Sequence, residues 1–143
     1  MKKLCTVVAL GLSCTLPIYA QTSTELLVTV NSGNAQTQGM ALTLAGRAVF
    51  GEKVAVRVVL CSEGGKLAVK GMRPVSLPLK PLNLTPNDML ADLMKGGAKV
   101  EVCGLFLPNS EWKPTDLIEG ITVANPGEVA AHLLKPNVKA LTY

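Results

Sequence analysis

Two stretches of the chain, Thr85-Pro86-Asn87-Asp88 and Asn125-Pro126-Gly127-Glu128, are built alike: a capping side chain, a proline, and an acid three residues on. The side-chain oxygen satisfies free backbone N–H groups at a helix start, the proline already holds the helical φ, and the acid faces the exposed N–H dipoles. Each motif opens a helix-period apolar pattern. Met89, Leu90, Leu93 and Met94 form the expected inward face of the first, and Val129, Ala130, Leu133 and Leu134 that of the second. Gly96-Gly97 ends one helix and Pro136 the other, and a short strand-like run follows each. Strands that alternate with helices in this way pair in parallel.

The rest of the chain keeps the alternation. "ELLVTV" (25–30) reads as a first strand covered on both faces. From Gln36, the doublets Met40-Ala41, Leu44-Ala45 and Ala48-Val49 predict one face of a helix. "KVAVRVVLC" (53–61), "KVEVCG" (99–104), "ITVA" (121–124) and "VKALTY" (138–143) supply four more strands, and "TDLIEG" a short helix. The expected class is α/β: a three-layer α/β/α domain with a five-stranded, mostly parallel sheet. The segment 64–82 breaks the pattern, with Pro74, Pro78 and Pro81 among Lys66, Lys70, Arg73 and Lys80. Its start can form one helical turn; the remainder reads as a solvated connector or as a flap over a site.

Residues 1–20 are expected to be a secretory signal peptide. Lys2 and Lys3 precede an apolar stretch too short to span a bilayer comfortably, and "IYA" offers a cut after Ala20. A lipoprotein signal at Cys14 fits less well, because Gly11 stands where a larger aliphatic residue is wanted. Residues 21–143 then form a single periplasmic domain, long enough for one core. Cleavage lowers the formal net charge from +4 to +2, since two lysines leave. That is too small to argue for nucleic acid or an anionic membrane, and the few aromatic residues offer no stacking platform for bases. Cleavage also removes Cys5 and Cys14, leaving Cys61 and Cys103, a pair that an oxidising compartment could join.

Ligands of open parallel sheets bind outside the carboxyl ends of the strands. The rim so defined holds Asn31 and Ser32 after the first strand, Cys61 and Ser62 after the second, Cys103 and Gly104 after the third, and Asn125 after the fourth. His132 belongs to a helix returning to the opposite edge, which disfavours a Cys–His nucleophilic pair. Two cysteines and a distant histidine do not make a tetrahedral metal set, and the chain has neither GxxxxGK[ST] nor GxGxxG after its first strand. No metal or cofactor is implied. Strand order decides whether the cysteines can bond: adjacent strands lie about 4.8 Å apart, next-but-one strands about 9.6 Å, beyond disulfide reach.

"AKVEVCGLFL…DLIEGITVANPGEVAAHLLKPNVKALTY" and "GMALTLAGRAVFGEKVAVRVVLCSEGGKLAVKG" resemble the DsrE/DsrF-like family, which includes the TusD-type sulfur-relay proteins. The likeness covers nearly all of 25–143. It implies a three-layer α/β fold, assembly into homotrimers or hexamers, and a cysteine at Cys103 that receives sulfur as a persulfide and hands it to a partner carrier, here a periplasmic one. A non-catalytic oligomeric binding module with an inert, buried Cys103 is the alternative; a dithiol redox protein using Cys61 is a third reading. Many relatives place a second cysteine where Phe106 stands and an Arg-Gly pair where "PNSEWKP" stands, so the resemblance implies a single-thiol carrier. Such a thiol needs partial exposure and a nearby positive charge; Lys113, Arg73 or the start of the 115–119 helix are the candidates, and Gly104 would ease a partner's approach.

Overall fold

Strands β1 (Glu25–Val30), β2 (Ala55–Leu60), β3 (Lys99–Val102), β4 (Thr122–Val123) and β5 (Val138–Thr142) form one sheet in the order β4-β3-β2-β1-β5, and every pairing is parallel. This computed structural model describes residues 24–72 and 78–143. The expected signal peptide and the segment from Arg73 to Leu77 lie outside the described residues. Helices α1 (Ala35–Gly46) and α2 (Pro86–Lys95) cover one face of the sheet, and α3 (Pro126–Leu133) packs on the other. The expected three-layer α/β/α class is the one observed, with a fully parallel sheet.

The main core lies between α1, α2 and the sheet. Val28, Val30, Val58, Leu60 and Val102 point there from the strands and meet Leu42, Leu90 and Leu93, all at 2 % exposure or less. α2 starts as its motif predicts: Thr85 accepts from Asp88 N–H, and the Asp88 carboxylate accepts from Thr85 N–H, a complete capping box with Pro86 in the first turn. Asn34 caps α1 and Asn125 caps α3 in the same way, each accepting two backbone N–H groups.

Several expectations need correction. The buried face of α1 is Gln38, Ala41, Leu42 and Ala45, whereas Met40 and Leu44 are exposed. Gln38 turns inward because its side-chain amide donates to the Ser32 carbonyl at 2.8 Å, tying the helix to the loop after β1. On α3, Leu133 and Leu134 face solvent and Ala130 is exposed, while Val129 is half-buried and His132 is buried. "TDLIEG" forms only one 3₁₀ turn, Pro114–Asp116. Its next residues bond sideways instead: Ile118 N–H donates to the Ala68 carbonyl, and Leu117 bridges Val69. The turn after β2 is longer than expected, a 3₁₀ segment from Ser62 to Ala68. From Pro78 to Leu82 the connector lies beside α1 and α2, away from the cysteine rim.

Candidate functional site

β2 and β3 pair in register from Arg57↔Lys99 to Leu60↔Val102, so the next residue of each, Cys61 and Cys103, emerge side by side. The backbone carries the register one step further: Cys103 N–H donates to the Leu60 carbonyl at 2.8 Å, while Cys61 N–H donates to the Val30 carbonyl at 2.9 Å. Both side chains lie on the α3 face, against Leu27, Val59 and Ala124. Both thiols are free and half-buried. Burial, then a hydrogen bond to Cys103 and the charge there, push the Cys61 thiol up to about 12. Cys61 therefore keeps its proton at neutral pH and donates it in a hydrogen bond toward Cys103.

The chain must leave β2 sharply for this pair to face a cleft. Ser62 takes a left-handed φ of 48°, rare outside glycine. Gly64 and Gly65 then lie flat against their surroundings. A Cβ at Gly64 would overlap the Val30 carbonyl oxygen, and one at Gly65 would overlap the Phe106 ring. Phe106 stacks on Trp112 with ring centroids 5.5 Å apart, making an aromatic wall. Between this wall and the cysteines lies an open cleft of about 560 Å³, also lined by Ser62, Lys66 and the exposed Leu105.

The structure brings together Cys61, Ser62 and Cys103 of the residues expected at the rim. Others serve the backbone. Asn31 bridges β1 to the chain end, its N–H donating to the Tyr143 carbonyl and its carbonyl accepting from Gly64 N–H. Ser32 Oγ accepts from Asn34 N–H, and Asn125 caps α3. Gly104 does not open the cleft: a Cβ there would come 3.0 Å from the Ala124 carbonyl oxygen and 3.4 Å from Pro126, so glycine permits the close approach of β3 to the start of α3. Lys113 is held in the Pro114–Asp116 turn, its N–H donating to Asp116, and does not line the cleft. Arg73 lies outside the described residues. The cation that does line it is Lys66, paired with Glu63 at 2.5 Å. Sequence reasoning missed Lys66 and the Phe106–Trp112 wall. The Gly-Gly preceding Lys66 was the available signal, since two small residues mark a place where something packs closely.

His132 lies at the opposite end of the sheet, as its helix direction implied, with Nε2 2.7 Å from Glu25 Oε2. It does not line the cleft that holds the cysteines. Among the described residues no three His, Cys, Asp or Glu side chains gather as a metal site, and no helix is long and apolar enough to cross a membrane.

No family model matches the chain, and neither does any curated protein. Solved structures do. The crystal structure of the ychN protein from E. coli superposes with a TM-score of 0.66 at 17 % identity, over 84 % of this chain and 99 % of that one. The protein of unknown function MTH1491 from Methanobacterium thermoautotrophicum gives 0.63 at 14 % identity, over 85 % and 100 %. This chain has a DsrE/YchN-like fold. At such identities the likeness establishes architecture alone.

Proposed function

We propose that the protein is a periplasmic DsrE-like sulfur carrier in which Cys103 holds sulfur as a persulfide. The observation that carries this reading is the position of Cys103. It follows the second strand from the sheet edge, at the carboxyl rim, half-buried in an open cleft, with a protonated thiol beside it. In the loading step the Cys103 thiolate attacks the outer sulfur of a persulfide donor. A new S–S bond forms at Cys103, the donor's S–S bond breaks, and the donor leaves as a thiolate. No electrons are exchanged with a third party. The aromatic wall and half-burial limit water around the bound sulfur, and the cleft leaves room for the next acceptor.

The reading includes a homo-oligomer, trimer or hexamer, that passes sulfur to a periplasmic carrier protein. Exposed Leu133 and Leu134, at 47 % and 83 %, support it, because two large apolar side chains side by side at the end of α3 gain from a covering partner. Incubation with a low-molecular-weight persulfide donor, followed by peptide mass spectrometry under alkylating conditions, tests the chemistry. With the alkylating agent added immediately after loading, one or more extra sulfur atoms are expected on the Cys103 peptide and none in Cys103→Ser. Labelling that persists in Cys103→Ser would sink the proposal.

A further inference from the structure

We infer that Cys61 is a resolving thiol: it discharges sulfur from Cys103 as hydrosulfide and closes a Cys61–Cys103 disulfide. This rests on the carrier reading above and adds a second product to it. The geometry comes from the register. β2 and β3 are direct neighbours, Cys61 and Cys103 are the first residues past Leu60↔Val102, and both side chains pack on the same Leu27, Val59 and Ala124 cluster. Neighbouring strands about 4.8 Å apart fall inside the Cα range that a disulfide spans. No cysteine follows Cys103 in the chain, so the second thiol is supplied across the sheet by Cys61.

The step balances without an added base. Cys61 Sγ attacks Cys103 Sγ, the Cys103–sulfur bond breaks, and the outer sulfur departs. The proton of Cys61 passes to that sulfur, which carries the negative charge of the persulfide, so the products are HS⁻ and the disulfide. The outer sulfur is reduced from the sulfane to the sulfide level, and the two cysteines are oxidised by the same two electrons. An external dithiol reductant resets the pair by thiol–disulfide exchange. Only the deprotonated sulfur attacks, so the proton of Cys61 has to leave as the new S–S bond forms. It is not lost to solvent at neutral pH, and the acceptor that removes it is the leaving sulfur itself. Persulfide transfer to a partner and internal discharge then compete for one loaded state.

The test uses the whole protein with the same persulfide donor, excess donor removed by rapid desalting, and no reductant added. Wild type is expected to release up to one hydrosulfide per loaded Cys103 and to show a Cys61–Cys103 disulfide in a non-reducing peptide map. Cys61→Ser is expected to keep its extra sulfur and release at least tenfold less sulfide; Cys61→Ala, small and apolar, serves as the second variant for this half-buried position. Sulfur retained on Cys103 in wild type, with neither sulfide nor disulfide, overturns this inference and leaves the carrier reading standing. Absence of sulfur on Cys103 in Cys61→Ser and Cys61→Ala as well as in wild type, with no disulfide in wild type, overturns both.

Discussion

Arg57 Nε donates to Glu101 Oε2 at 2.6 Å, with side chains 10 % and 3 % exposed, on the same sheet face as the cysteine pair. Glu101 stands two residues before Cys103, roughly 7 Å along the strand. Lys99 reaches the other carboxylate oxygen at 2.9 Å, but Arg57 Nη2 is buried without a hydrogen-bond partner. A buried pair of this kind opposes its own desolvation with little surplus, while breaking it strands a charge. Arg57→Met is therefore expected to lower the unfolding free energy by about 3–5 kcal/mol. Arg57→Met/Glu101→Leu should recover most of that loss. Urea unfolding checks both, and a double variant as unstable as the summed singles would show that the two residues are not coupled.

The same pair sets an acid limit. Burial opposes the charge of Glu101 most strongly, yet hydrogen bonds and charge from Arg57 and Lys99 outweigh it and hold the carboxyl below its ordinary value. The hydrogen bond from His132, then that from Asn137, lowers Glu25 likewise. A carboxyl depressed in the folded state stabilises the fold fully above its unfolded value and loses that contribution as pH falls through the folded one. Urea midpoints should thus hold from neutrality down to about pH 4.5 and fall below it. Arg57→Met/Glu101→Leu is expected to show a shallower fall, which a series of urea titrations across the acid range would measure.

Gly64 and Gly65 should respond differently to alanine. At Gly64 the new Cβ meets the Val30 carbonyl oxygen, main chain in β1, which is paired on both sides by β2 and β5 and cannot yield. At Gly65 it meets the Phe106 ring, a side chain that can tilt with Trp112. Overpacking typically costs about 1–3 kcal/mol, so Gly64→Ala is placed at the top of that range and Gly65→Ala at the bottom. Gly65→Ala should also shift the emission of Trp112, the chain's one tryptophan, in a fluorescence spectrum. Equal destabilisation with unchanged emission would contradict this picture of the cleft wall.

Local chemistry was legible where one element decides its own form. Thr85 and Asn125 announce their helices because capping needs only the adjacent backbone. The sheet class followed from alternation, and the position of Cys103 from the rule for parallel sheets. What depends on partners was not legible. Met40 and Leu44 fit a helix period as well as Ala41 and Leu42 do, and the choice was made by Gln38 bonding the Ser32 carbonyl. Leu133 and Leu134 look like core, yet among the described residues α3 is alone on its face of the sheet, with no second helix to bury them. The adjacency of Cys61 and Cys103 required the strand order, which no single strand encodes. That one fact turns a lone thiol into a pair.

Titration of the pair offers the most direct physical check on how it is built. The Cys61 thiol lies at about 12 for three causes, of which burial is the largest and the hydrogen bond and charge of Cys103 are the others. Cys103→Ala removes the last two and leaves the first. The Cys61 midpoint in that variant is expected below 12 but still above its ordinary 9.0, read from ultraviolet thiolate absorbance or from the pH dependence of alkylation. A midpoint unmoved by Cys103→Ala would mean that the sulfurs do not interact. One that drops to the ordinary value would mean that Cys103, not burial, holds the proton on Cys61.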